Sequence, residues 1–237
     1  MASSVLPEES LNNGTLGPES DHIVPGDEAL PWPKYAFALW NLIIRPPRRR
    51  YGRTELMATY PVGEFTVGAN NCRVNRKHFS LRNDRGMIIV CTIFEPVNHW
   101  QQHEQQDRAC VIHCHGNGCC RISGDVLVGP LLTLNIALVC FDFSGSGMSG
   151  GDYVSLGFHE RDDLSCVINH VRHTMGYQRI ALWGYSMGAA AVLMHASRDP
   201  TLAAVVADSP FSDLCELIQD ICFNFVRLQP VVAAGVL

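Results

Sequence analysis

The residues best suited to covalent chemistry are Gly184-Tyr185-Ser186-Met187-Gly188. A serine set between two glycines in this way is the pattern of a nucleophile carried on a sharp strand-to-helix turn. The turn strains the serine backbone, so the flanking positions must lack bulky side chains, and both are glycine. Arg179 to Trp183 reads as a strand before it, and Ala189 to Ser197 as a small-residue helix after it. Ala189, Ala190 and Ala191 let that helix approach a sheet closely. This placement favours a nucleophile over the alternative, a glycine-rich turn holding an inert serine.

A serine so placed needs donors for the negative charge that develops on the group it attacks. One is the backbone N–H of the residue after it, Met187. The second comes from the loop that follows the strand Ala109–Cys114, which reads His115-Gly116-Asn117-Gly118. Its glycines let N–H groups turn inward, and Asn117 is the candidate donor.

A strand–helix alternation has to position these residues. His78 to Arg82 and Met87 to Pro96 read as strands joined by the turn Asn83-Asp84-Arg85-Gly86. Val97 to Arg108 is a polar surface loop, and Ile122 to Leu134 a helical stretch. Ile136 to Phe143 is a nearly continuous apolar run, the pattern of a strand buried on both faces. On a helix from Phe158 to Met175, residues Leu164, Val167, Ile168, Val171 and Met175 fall on one stripe, and Gly176 supplies the stop. Leu202 to Ala207 makes a further strand. An amphipathic helix from Ser212 turns Leu214, Leu217, Ile218, Ile221, Phe225 and Leu228 inward. The pattern predicts an α/β fold with a mostly parallel sheet and flanking helices.

Four motifs in fixed order, HGNG, FDFSGSGMSGG (Phe141–Gly151), GYSMGA (Gly184–Ala189) and ADSPFSDL (Ala207–Leu214), resemble the α/β-hydrolase superfamily. More narrowly, they are similar to its serine aminopeptidase-like or Bem46-like branch, over about residues 38–228. The resemblance implies hydrolysis of an ester, thioester or amide, in a small molecule or peptide, through an acyl-enzyme. It names no substrate, because one fold hosts many. It also implies a triad acid after the seventh strand and a histidine after the eighth, and here the sequence departs from the pattern. No histidine follows His195. That residue lies roughly 13 Å down the helix from Ser186 at 1.5 Å per residue, too far to be its base. His115 reads as structural, its ring tied to nearby backbone. Asp208 ends a strand where some hydrolases of this fold carry the acid, and is kept as a candidate acid with no histidine to orient.

The sequence therefore predicts a hydrolase fold lacking its last two strands, as in a truncated chain, an incomplete gene model or a short isoform. Loss of triad members costs several powers of ten in rate, so either turnover is impaired or the chain is an inactive hydrolase-like scaffold. Strand Leu202–Ala207 becomes an exposed edge that a protein partner would cover.

The 237 residues divide into an acidic disordered tail (1–33), an N-terminal flanking segment (34–77) and the hydrolase core (78–237). The tail carries six acids and no Lys or Arg. Net charge is −5, so no global basic field recruits nucleic acid. The first 30 residues are polar and broken by prolines, unlike a secretory signal, and the ten scattered cysteines read as reduced thiols. The sequon Asn13-Gly14-Thr15 is then a chance match. The apolar run Tyr35–Ile44 falls short of the roughly 20 residues a bilayer span needs, so a soluble, cytoplasmic protein is expected. With Arg45, Arg48, Arg49, Arg50 and Arg53 behind it, that run is either an interfacial anchor or a segment packed on the domain flank with its arginines solvated. The anchor would give weak membrane-surface contact through residues 35–53.

Two further patterns are weighed and set aside. Gly145-Ser146-Gly147-Met148-Ser149-Gly150 matches a dinucleotide-binding fingerprint, but the glycine-rich stretch to Gly157 keeps a helix N-terminus away from it, and Asp162 and Asp163 sit on a helix rather than a strand end. His113-Cys114-His115 with Cys119-Cys120 suggests a metal cluster, yet alternation on a strand points Cys114 away from the two histidines. Cys166, His170 and His173 gather on the helix face away from the apolar stripe, which reads as a solvated polar face. The prediction is neither cofactor nor metal.

Overall fold

The computed structural model describes residues 48–97 and 108–219, apart from 215 and 218. The acidic tail, the apolar run Tyr35–Ile44, most of the polar loop before Ala109 and the distal part of the helix read from Ser212 lie outside the described residues. Pairing begins upstream of His78. Strand β1 (Gly63–Val67) runs antiparallel to β2 (Cys72–Arg82), with Gly63 opposite Arg76 and Val67 opposite Cys72. Their outward residues include Glu64, Arg73 and Lys77, and Arg73 meets Glu64 at 2.5 Å. Only every second side chain faces the core; Phe65, Val67, Cys72 and Val74 do so between polar neighbours, and Arg76 breaks the apolar alternation, which hides these strands in the sequence.

β2 pairs antiparallel with β3 (Ile88–Pro96), and β3 with β5 (Ala137–Phe141). From β5 onward the pairing is parallel, to β4 (Ala109–Cys114), β6 (Arg179–Tyr185) and β7 (Ala204–Asp208) in turn. The order is β1-β2-β3-β5-β4-β6-β7. The motifs singled out above all leave the carboxyl ends of the parallel half. Every residue of β5 is buried, as its unbroken apolar run requires. At the other extreme β7 is the sheet's edge among the described residues, with Val205 37% and Val206 41% exposed.

A short α1 (Arg53–Leu56) precedes the sheet, and a 3-10 helix (Arg121–Leu127) runs into α2 (Val128–Leu132) after β4. α3 (Glu160–His173) follows β5, and α4 (Met187–Ala196) follows β6. One sheet face is covered by α3 and α4, whose Leu164, Val167, Ile168, Val171, Ala191 and Val192 pack with Ile112, Val139 and Leu182. On the other face Val128 and Leu132 cover Val74, Phe94, Val111 and Leu138. Each such buried aliphatic contributes about 1.5–3 kcal/mol. The stripe on α3 is the one its periodicity predicts. Past β7, Asp213 Oδ1 accepts the Glu216 N–H at 3.0 Å, a side-chain cap on the helix beginning at Leu214.

A single carboxylate ties α3 to the sheet. Asp163 is fully buried; its Oδ1 accepts from Asn83 Nδ2 at 2.6 Å and Arg85 Nη2 at 3.0 Å, and its Oδ2 from the Ser144 N–H and Oγ–H at 2.9 and 2.6 Å. Removing it strands the Asn83 amide and the Ser144 N–H and hydroxyl and breaks the Arg85 ion pair, so Asp163→Ala is expected to cost about 3 kcal/mol of stability in urea denaturation. Acid should also destabilise the fold. Burial holds the His78 and His113 imidazoles neutral, lowering both to about 4, and lowers His115, His170 and His195 as well. The unfolded chain takes up protons near pH 6.5 that these native rings refuse, so stability is lost as pH falls below about 6.5. Asp125, pushed up to about 6 by burial, acts in the opposite sense and offsets only part of this. The urea midpoint is expected to be lower at pH 5.5 than at pH 7.5.

Candidate active site

β6 ends at Tyr185 and α4 begins at Met187, which leaves Ser186 alone to make the turn. It does so at φ +51° and ψ −113°, a left-handed conformation that a side-chain-bearing residue adopts only under constraint. The constraints are visible. The Ser186 N–H donates to Asp208 O at 2.9 Å, and its carbonyl accepts from Ala190 N at 3.0 Å, so the neighbouring strand end and the first turn of α4 grip it from two sides. Gly184 and Gly188 allow this. A Cβ on Gly184 would stand 2.4 Å from Gly188 O, and one on Gly188 would stand 2.1 Å from Cys114 O. The second approach also wedges α4 directly against the end of β4. Ser186 is half-buried, and among the described residues no side chain hydrogen-bonds its hydroxyl.

The loop after β4 lies beside the turn. A Cβ on Gly116 would be 2.9 Å from the Tyr185 ring, and one on Gly188 would be 2.7 Å from His115 O. Gly116 O accepts from Cys119 N at 3.1 Å and from His115 Nδ1 at 2.8 Å. The other ring nitrogen of His115, Nε2, accepts the Phe143 N–H at 3.1 Å. A fully buried imidazole with both nitrogens spent on backbone, and its protonated form disfavoured by burial, holds the loop and has no lone pair left for a substrate proton. Met187 is the first residue of α4, so its N–H has no carbonyl one turn earlier in that helix. Asn117 is half-buried in the same loop as Gly116. Asp208 stands opposite Tyr185 in the β6–β7 register and is exposed; its Oδ1 accepts the Ser209 hydroxyl at 2.8 Å. His195 lies near the far end of α4 with Nε2 3.6 Å from Asp199 Oδ2.

The glycine-rich stretch after β5 wraps a carboxylate of the chain itself. Asp142, fully buried, accepts the Arg121 N–H on Oδ1 at 2.7 Å and the Met148 N–H on Oδ2 at 3.0 Å, and the Tyr51 hydroxyl also donates to Oδ2. A Cβ on Gly147 would meet the Asp142 carboxyl carbon at 2.2 Å. The loop is thus folded around the chain's own anion, where a dinucleotide site would keep its N–H groups for a pyrophosphate. Arg48 caps the outside of the loop through backbone carbonyls, which corrects the solvated reading for this one arginine, while Arg49, Arg50 and Arg53 are exposed as expected. Asp142, Arg48 and Tyr51 were missed by the sequence reasoning. The one signal was an acid set between two phenylalanines in an apolar run.

The histidine and cysteine patterns resolve differently. His113 is buried under the 3-10 helix, where a Cβ on Gly124 would lie 3.0 Å from its Nδ1. His170 is buried and stacks on Phe79 of β2 at 5.2 Å, and Cys166 Sγ lies 3.6 Å from Arg82 O. That side of α3 therefore faces the antiparallel strands, and only His173 is exposed, which corrects the solvated-face reading. Among the described residues no group of three or more His, Cys, Asp or Glu is placed to hold a metal. Among the same residues no helix is long and apolar enough to cross a membrane.

A serine on a strained strand-to-helix turn, set at the carboxyl edge of a mixed sheet with helices on both faces, defines an α/β hydrolase. Solved structures agree on the fold. The Pyrococcus furiosus esterase Pf2001 superposes with a TM-score of 0.57 at 20% identity, over 82% of this chain and 66% of that one. The α/β hydrolase GrgF from Penicillium sp. gives 0.50 at 19% identity, over 68% and 55%. The family described as serine aminopeptidase, S33, matches residues 105–232, more than half of the chain, and the chain belongs to it. Among curated relatives, YqkD of Bacillus subtilis is 30% identical over 105 residues, and YfhR of Escherichia coli K12 is 35% identical over 108. Both are described as uncharacterized. The matches take in 43% and 44% of this chain, and 34% and 37% of the relatives, so the chain spans little more than a third of their length.

The strain at Ser186 is measurable. Glycine tolerates positive φ and alanine does not, so Ser186→Gly is expected to be more stable than Ser186→Ala by about 1 kcal/mol in urea denaturation.

Proposed function

We propose that this chain carries the nucleophile half of a serine hydrolase that cleaves an ester, thioester or amide through an acyl-enzyme. Ser186 is the nucleophile, and the N–H groups of Met187 and Asn117 receive the oxyanion. The observation that carries the reading is the backbone of Ser186, held at φ +51° between a strand end and a helix start, with its neighbours Tyr185 and Gly188 packed against the 115–118 loop. A strained residue that costs stability and packs no core points to a purpose for its side chain. The orientation of the loop supports Asn117. Gly116 O is turned toward His115 and Cys119, and in a planar trans peptide the Asn117 N–H points the opposite way.

The reaction needs a base to take the Ser186 proton, and neither histidine of the adjoining elements fills that role: His115 is committed to backbone and His195 sits at the wrong end of α4. Asp208 stays a candidate acid, since the strand-end geometry places its backbone against Ser186. The second reading is a hydrolase-like scaffold without turnover, in keeping with the lack of a base beside Ser186 among the described residues. The exposed valines of β7 would then serve partner binding.

Labelling with a fluorophosphonate separates the two. The hydroxyl attacks phosphorus and expels fluoride, its proton passing to bulk water or buffer, and the oxyanion donors stabilise the charge on the phosphoryl oxygen, so labelling is expected to be slow but specific. Wild-type chain is expected to label at Ser186, with Ser186→Ala at background. Equal labelling of the two overturns the hydrolase reading in favour of the scaffold.

A further inference from the structure

We infer that Arg48 is a positioning residue for the Ser186 site, a clasp in the N-terminal segment that sets the loop after β5 and, through it, the 115–118 loop. Its functional consequence rests on the hydrolase reading above; its structural half stands on the contacts alone. The loop after β5 turns amides inward and carbonyls outward. Inside, Asp142 collects the N–H groups of Arg121 and Met148. Outside, the carbonyls of Ser146, Gly147, Ser149 and Gly151 converge on one point, and the Arg48 guanidinium fills it. Nε donates to Gly147 O at 2.8 Å, Nη1 to Gly151 O at 3.1 Å, and Nη2 both to Ser146 O at 3.1 Å and to Ser149 O. Among the described residues Arg48 forms no ion pair with a carboxylate. Its donors are spent on the loop, which leaves little of it for an anionic headgroup. A planar fork meets four converging carbonyls in a way that the compact ammonium of lysine cannot.

The clasped loop reaches the nucleophile in three contacts. Phe143 N donates to His115 Nε2, His115 Nδ1 donates to Gly116 O, and Gly116 packs on the ring of Tyr185, the residue before Ser186. Movement of the loop therefore turns the Gly116–Asn117 peptide. Tyr51 reinforces the same unit, donating to Asp142 while its ring lies 5.3 Å from the Arg121 guanidinium. The stretch read as an anchor or a solvated flank thus includes a working part of the site's frame.

The test uses the full chain as wild type, Arg48→Ala, Arg48→Lys and the exposed-arginine control Arg53→Ala. Amide hydrogen exchange is the first readout. Arg48→Ala is expected to speed exchange at least tenfold in residues 143–151 and 115–118 while β4 and β6 keep wild-type protection. If exchange rises throughout, Arg48→Lys carries the same criterion. Exchange in 115–118 that matches Arg53→Ala overturns the inference. The second readout is the fluorophosphonate rate at Ser186. A positioning role predicts a slower maximal rate with an unchanged half-saturating concentration, and recovery when ethylguanidinium is added to Arg48→Ala but not to Arg53→Ala. A change in half-saturating concentration alone, or no recovery, contradicts it. Absence of labelling in wild type would sink the hydrolase reading and leave the exchange result to decide the clasp.

Discussion

The close approach of α4 to the end of β4 governs everything else in this molecule. With no side chain at position 188, the helix start sits so near Cys114 O that an added Cβ would fall within 2.1 Å of it. That contact leaves one residue to connect β6 to α4, and the connection closes only if the residue takes a positive φ. The strain at Ser186 is the consequence of how tightly the helix is drawn onto the sheet. Because the same contact involves the first residues after β4, it also brings the 115–118 loop to the serine. The proposed nucleophile and oxyanion donors are thus placed by one packing event.

Around that contact the structure builds a second layer in which backbone groups are held by buried polar side chains. Asp142 gathers one side of the loop after β5, Asp163 ties α3 to the same loop and to the β2–β3 turn, and His115 links the loop to Gly116. Each of these groups is fully buried, and each spends its lone pairs or protons on the chain. A buried carboxylate is tolerated when donors surround it, and its removal is costly for the same reason. The layer turns three glycine-bearing loops, which would be soft in isolation, into a fixed rim at the carboxyl ends of the parallel strands.

The elements nearest the chemistry were the most legible in sequence. β5 announces itself through an unbroken apolar run, α3 through five residues at helical spacing, and the serine turn through two glycines whose absent side chains are explained by contacts of 2.1 and 2.4 Å. What stayed hidden depends on long-range partners. β1 and the first half of β2 put polar residues on every second position, so their strand character shows only once they are paired. His170 and Cys166 carry polar atoms at positions that face β2, and residue type alone assigned them to solvent. Arg48 lies in a run of arginines beside two prolines, where composition suggests a headgroup or water. Its four acceptors are carbonyls about a hundred residues away, and carbonyls leave no mark on a sequence.

The most direct test of the account is a crystal structure of the chain after fluorophosphonate treatment. Phosphorus bonded to Ser186 Oγ, with the phosphoryl oxygen within about 3 Å of both the Met187 and Asn117 nitrogens, is the outcome expected of an oxyanion site held between α4 and the loop after β4. Phosphorus on another residue, or a phosphoryl oxygen turned to solvent away from those amides, would contradict it.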